Sequence, residues 1–229
     1  MTYRLLAIIF FLLSGCQFSQ TESLHADYSN FNKKKIIVAG YDTNNKQTDT
    51  LATLSIELPK RLDTFYQWTD WSDCMPCGNV KYRFADKKYK QFREGGFYWT
   101  YKPDSVYQLS IWHKPFTEAP DSVAIKSLTA SDSLHAYWFK PHIYCDTINY
   151  RFKKFELIDN RAFYITAFST PCGFLTDSAS MYVTATTNLK KRRLFIVAEC
   201  SAKDTSGFIN EMYKAILSVV INEKASRFK

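Results

Sequence analysis

Apolar residues recur at every second position through much of this chain, which is the signature of strands with one buried face. Leu51–Leu58 (LATLSIEL) alternates in this way and stops at Pro59, a residue that cannot donate to a ladder. Ile36–Gly40 is a shorter apolar run, and Thr64–Trp71 (TFYQWTDW) is aromatic and β-prone. Val80, Tyr82 and Phe84 share one face of a predicted strand over Asn79–Phe84. Phe97–Tyr101 follows the Gly95-Gly96 turn, and Val106–Trp112 is the next strand. Thr147–Ile158 and Arg161–Ser169 flank Asp159-Asn160, a pair suited to a tight hairpin turn. Met181–Thr187 and Arg193–Cys200 flank a second, polar turn, while Asp121–Trp138 fits either a helix or a strand period.

The period changes near the end. Phe208, Met212, Ala215/Ile216 and Val219 recur at three and four residues, one apolar stripe. This predicts a helix from 205 to 218, with the Asp204 carboxylate able to accept its orphan N–H groups. No internal repeat or Pro/Gly-rich linker divides the strands. The expected architecture is therefore α+β: a single domain in which an antiparallel sheet carries a C-terminal amphipathic helix.

Composition narrows the picture. The 229 residues are 46% hydrophobic and 23% charged, which excludes wholesale disorder, and 7 Gly with 7 Pro exclude a collagen-like chain. Aromatics make up 17%, which strengthens the β reading. The net charge is +8, and the densest basic runs are Lys33-Lys34-Lys35 and Lys190-Lys191-Arg192-Arg193, both expected on solvated surfaces.

The first residues read as an address. Arg4 precedes an unbroken apolar run, Leu5–Leu13, too short to cross a bilayer but of signal-peptide length. The run ends in Leu13-Ser14-Gly15-Cys16, which resembles the bacterial lipobox. That resemblance implies cleavage before Cys16 and a diacylglycerol on its thiol, hence anchoring to the membrane through lipid. Gln17 in place of Asp suggests the outer membrane, and the lack of an acidic run just after Cys16 favours a periplasm-facing location. The expected organisation is a signal peptide over 1–15, lipidated Cys16 with a polar tether over 16–34, and a soluble domain over 35–229.

Two features at the ends of the soluble part, Leu54-Ser55-Ile56-Glu57-Leu58-Pro59 and Phe208…Met212…Ile216-Leu-Ser-Val-Val-Ile221, resemble the PsbP-like fold. The resemblance implies an α/β sandwich from a functionally diverse, mostly non-enzymatic group. It lends no active site.

Candidate chemistry is sparse. With Cys16 lipidated, five cysteines remain in an oxidising compartment, where disulfides are the default. Cys200 shares a strand face with Leu194, Ile196 and Ala198 and is expected to keep its thiol in the core. Cys74, Cys77, Cys145 and Cys172 are the disulfide candidates, with three pairings open. Cys74-Met-Pro-Cys77 resembles a thioredoxin-type motif, but Gly78 and a strand pattern follow where that chemistry needs a helix N-terminus. His142 and Cys145 could join Cys74 and Cys77 around zinc, although oxidation competes, so no metal or other cofactor is expected. No hydrolase, zincin or phosphate-loop motif occurs, and His25, His113, His135 and His142 are scattered. Dense aromatics remain as binding candidates: Trp68, Trp71, Tyr98, Trp99 and Tyr101.

The sequence thus predicts a non-catalytic binding or scaffold lipoprotein of the envelope, holding a protein or glycan and not nucleic acid. The alternatives are a thiol–disulfide protein using Cys74 and Cys77, and an immunity-type inhibitor of an envelope-directed toxin.

Overall fold

The alternating segments become strands and the terminal stripe becomes a helix in the computed structural model, which describes residues 27–42, 47–72, 75–89, 105–115, 148–171, 179–189, 192–201 and 206–223. In chain order the strands are β1 (Phe31–Asp42), β2 (Gln47–Pro59), β3 (Thr64–Ser72), β4 (Met75–Ala85) and β5 (Tyr107–Pro115). They continue as β6 (Asn149–Ile158), β7 (Arg161–Thr170), β8 (Ser180–Leu189) and β9 (Arg192–Cys200). Helix α1 (Phe208–Leu217) and a last short strand, β10 (Val220–Glu223), complete the described fold.

The strands pair antiparallel in the order β10-β2-β1-β4-β5-β9-β8-β7-β6, with β3 on the other flank of β4. The β1–β4 junction is one register pair, Gly40 with Asn79. It divides the sheet into a three-stranded wing, β10-β2-β1, and a larger portion running from β3 to β6. Helix α1 lies between them, packing on β2 of the wing and on β8 and β9 of the larger portion. The sheet curls around the helix until its far ends meet. Arg161, at the start of β7, pairs with Glu223 of β10 at 2.5 Å, and the Asp159 carboxylate accepts the N–H of Ile221 at 3.3 Å.

The α+β expectation is corrected by this arrangement. Ten strands and one ten-residue helix among the described residues make a β-rich sandwich, in which the helix is a plug and not a layer. Local sequence explains the helix's brevity. Gly207 stands at the N-cap with φ 79° and no side-chain cap, a left-handed conformation open to glycine, so the helix starts later than Asp204 capping implies. At the other end the Ser218 hydroxyl donates to Ala215 O (2.6 Å) and accepts from Glu57 N–H (2.8 Å), tying the helix end to β2. The chain then returns to the sheet as β10, so Val219, the last residue of the expected apolar stripe, lies just past the helix end.

Asp159 and Asn160 form the expected hairpin, both with positive φ (50° and 59°) as a type I′ turn requires. Strand β1 begins at Phe31, inside the stretch assigned to the tether. The predicted strand Phe97–Tyr101 and the ambiguous Asp121–Trp138 lie outside the described residues.

The core follows from the alternation. Ile36, Val38, Leu54, Ile56 and Leu58 of the wing meet Phe208, Met212, Ala215 and Ile216 of the helix, and Leu109, Ile111, Ile165, Val183 and Ile196 line the larger portion. Each fully buried Leu, Ile, Met or Phe contributes about 1.5–3 kcal/mol of transfer free energy.

Candidate binding surface

The two sheet portions separate at a bulge in β1, between Val38 and Ala39, which takes backbone polar groups out of the ladder. Two side chains from the larger portion satisfy them. Tyr82 OH donates to Ile37 O (2.5 Å) and accepts from Ala39 N–H (3.1 Å). His113 Nε2 lies 2.7 Å from Ala39 O, and Arg192 Nη1 lies 3.2 Å from His113 Nδ1. A carbonyl only accepts and a guanidinium only donates, so these contacts select the neutral Nε2–H tautomer. Burial, followed by the Arg192 charge, lowers the His113 pKa to about 4, while its bond to Ala39 O acts the other way. Arg192 was expected on a solvated surface with its basic run; instead it supports a fully buried histidine.

The helix is held by a second polar set. Tyr107 OH donates to Glu211 of α1, and the Arg61 guanidinium stacks 3.7 Å from the Tyr107 ring while pairing with Asp86 at 3.0 Å. Tyr213 OH donates to Glu156 Oε1 at 2.5 Å, and Lys154 lies 3.2 Å from the same oxygen and 3.8 Å from the Tyr213 ring. Burial and then the carboxylate neighbour push both tyrosine hydroxyls well above their ordinary pKa.

The face of the larger portion turned away from the helix carries rows of polar and aromatic side chains. One row runs Tyr150, Phe168, Tyr182, Glu199, Gln108 across β6, β7, β8, β9 and β5. Glu199 accepts from Tyr182 OH (2.8 Å) and Gln108 Nε2 (3.3 Å), and Arg83 Nε donates to Ser110 Oγ at 3.0 Å. Thr166 and Thr184 share a hydrogen bond at 2.8 Å. These groups are buried, so they fix the sheet and are not open to a partner.

Exposure returns at the rim. Among the described residues strand β6 ends the pairing order, and Leu157 is 56% and Phe155 is 38% exposed on its outer face. Exposed Lys153 lies on the same face, its ammonium 3.7 Å from the Tyr150 ring, and exposed Arg151 sits at the register shift between Tyr150 and Phe152. An edge strand that displays apolar and cationic side chains can accept another extended segment. The sequence carried a signal for this rim. Asn149–Ile158 mixes Lys with apolar residues on each of its faces, unlike the cleaner alternation of β2.

Of the residues singled out beforehand, Trp68 and Trp71 lie in β3, opposite Lys81 and Pro76. Cys77 lies in β4, and Met75–Ala85 is strand from the residue after Cys74. Cys16, Cys74, Cys145, Cys172, Tyr98, Trp99 and Tyr101 lie outside the described residues. Cys200 is a fully buried, unoxidised thiol.

No protein-family model matches the chain, and neither does any curated protein. Among solved structures it is similar to the solution structure of cyanobacterial PsbP (CyanoP) from Synechocystis sp. PCC 6803, at 11% identity and TM-score 0.46, over 82% of this chain and 92% of that one. It is also similar to PA94 of Pseudomonas aeruginosa, described as a protein of unknown function and putative regulator, at 12% identity and TM-score 0.40, over 74% and 96% of the two chains. A Bacteroides thetaiotaomicron VPI-5482 crystal structure is similar at 9% identity and TM-score 0.36, over 75% of this chain and 46% of that one. The chain is thus similar, at low identity, to a PsbP-type structure.

Proposed function

We propose that this chain is a lipid-anchored, non-catalytic binding protein of the bacterial envelope, facing the periplasm, which captures an extended segment of another protein at the β6 rim. The lipobox-like Leu13-Ser14-Gly15-Cys16 supports the anchor. The observation that carries the binding role is the exposure of Phe155 and Leu157 beside Lys153 on a strand at the end of the sheet order. Edge strands are commonly blunted by inward charges, proline or cover, because open ones recruit other chains. Here the apolar residues face outward and the neighbouring charges are cationic, which suits a partner strand of alternating apolar and acidic residues. The buried titratable groups support the same reading, since His113, Glu156, Glu199 and Glu211 are all engaged in hydrogen bonds that hold the fold. A redox role for Cys74 and Cys77 gains no support from a motif that runs straight into a strand, because the pKa-lowering helix N-terminus is replaced by extended chain.

The test is site-specific photocrosslinking in native envelopes, with the reactive group at position 157 and a control at exposed Lys87. A discrete adduct from 157, absent from 87 and lost in Phe155→Asp, is the expected result. Equal labelling from both positions, or none, refutes the rim as the binding site.

A further inference from the structure

We propose that the outer face of the wing, β10-β2-β1, rests on the anionic phospholipid surface to which the chain is anchored. This orientation depends on the lipid-anchor reading above. Strand β1 turns Ile36 and Val38 into the core, so Lys33, Lys35 and Ile37 point outward, and Ile37 is 55% exposed. The register sets Lys35 beside Ser55 and Ser55 beside Val220, which is 38% exposed. The next row is Ile37, Thr53 and Asn222. Two ammonium groups, Lys35 and Lys33 (the latter opposite the Glu57 carboxylate), and two apolar side chains, spaced by short polar residues, present a low surface on which headgroup phosphates and the upper acyl region can both be met.

Chain length and charge choose the occupant. Fourteen residues, 17–30, separate Cys16 from Phe31, where β1 begins. A polar tether of that length spans roughly 20 Å on average. Its fully extended reach is about 50 Å. The lipid therefore holds this first strand close to the bilayer, at a high effective concentration. The wing's exposed lysines complement an anionic leaflet, and each lysine near such a surface raises the docked population roughly fivefold at physiological salt.

The experiment uses the full chain purified with its lipid and reconstituted into vesicles of phosphatidylethanolamine with or without roughly one-third phosphatidylglycerol. A fluorescent amino acid is placed at position 37, 220 or 87, and quenching by brominated lipid is read. Quenching at 37 and 220 but not at 87, dependent on phosphatidylglycerol, supports the orientation. Lys33→Gln with Lys35→Gln should then reduce the docked fraction more than tenfold, as should high salt. Both lysines are exposed, so the fold tolerates the change. The mass of Cys16 separates the two readings. An acylated Cys16 with positions 37 and 220 unquenched overturns the orientation alone, and an unacylated Cys16 overturns the anchor and the orientation with it. A crosslink between position 37 of two copies, without quenching, assigns the face to a second copy and also overturns it.

Discussion

Acidification should weaken the fold through His113, the residue that bridges the two sheet portions. Its Nε2–H donates to Ala39 O beside the β1 bulge, while Nδ1 receives Arg192. Protonating Nδ1 would set an imidazolium against a guanidinium in a fully buried position. The folded pKa is about 4, against 6.5 for the unfolded chain. The folded pKa is depressed, so the unfolded state binds the proton first as pH falls. The contribution is complete above pH 6.5 and is lost progressively towards pH 4. Linkage gives a loss of about 2 kcal/mol between pH 7.5 and pH 5, approaching 3 kcal/mol at pH 4. That is a large share of a stability of about 5–15 kcal/mol. Urea denaturation of the wild type and of His113→Gln, at both pH values, isolates the effect. Glutamine can still donate to Ala39 O but does not titrate, so the variant should lose less stability than the wild type by about 2 kcal/mol. Equal losses in the two proteins would refute the reasoning, because the acid sensitivity would then belong to carboxylates elsewhere.

Other consequences follow from the same contacts. Tyr82→Phe leaves Ile37 O and Ala39 N–H without their hydroxyl partner and should cost about 1–3 kcal/mol in urea unfolding. Met212→Ala opens a cavity between the helix and the sheet, where Met212 is fully buried, and should cost about 2–5 kcal/mol by the same assay. In a spectrophotometric titration, Tyr107 and Tyr213 should stay protonated past pH 10, where exposed tyrosines ionise; stability should then fall as pH rises further, since the unfolded chain releases those protons first. The Cys200 thiol should resist alkylation in the folded protein and react fully in urea, and prompt labelling of the native state would contradict its place in the core.

Much of the local structure was legible because its causes are local. Alternation, apolar runs and aromatic content marked nine of the strands, Asp159-Asn160 marked a turn that needs positive φ twice, and the spacing of Phe208, Met212, Ala215 and Ile216 marked the buried side of the helix. The rim was harder to read. Lys153, Phe155 and Leu157 share one strand face, but period alone cannot tell an exposed edge from a covered one. His113 and Arg192 were invisible for a related reason. They are far apart in sequence and become a pair only because β5 and β9 lie side by side, with His113 opposite Leu194 and Arg192 opposite Pro115.

The sequence by itself determined which segments extend and where the helix turns its apolar stripe, because dihedral preference and side-chain period act over a few residues. The tertiary structure alone decided how those pieces share hydrogen bonds. It placed the β1 bulge against Tyr82 and His113, folded the chain after Ser218 back onto β2, and closed the curled sheet through Arg161 and Glu223. It also turned the expected α+β fold into a β-rich sandwich around one short helix. Each of these choices pairs groups distant in the chain. Buried polar atoms must find partners wherever the packing brings them, and no local pattern names those partners in advance.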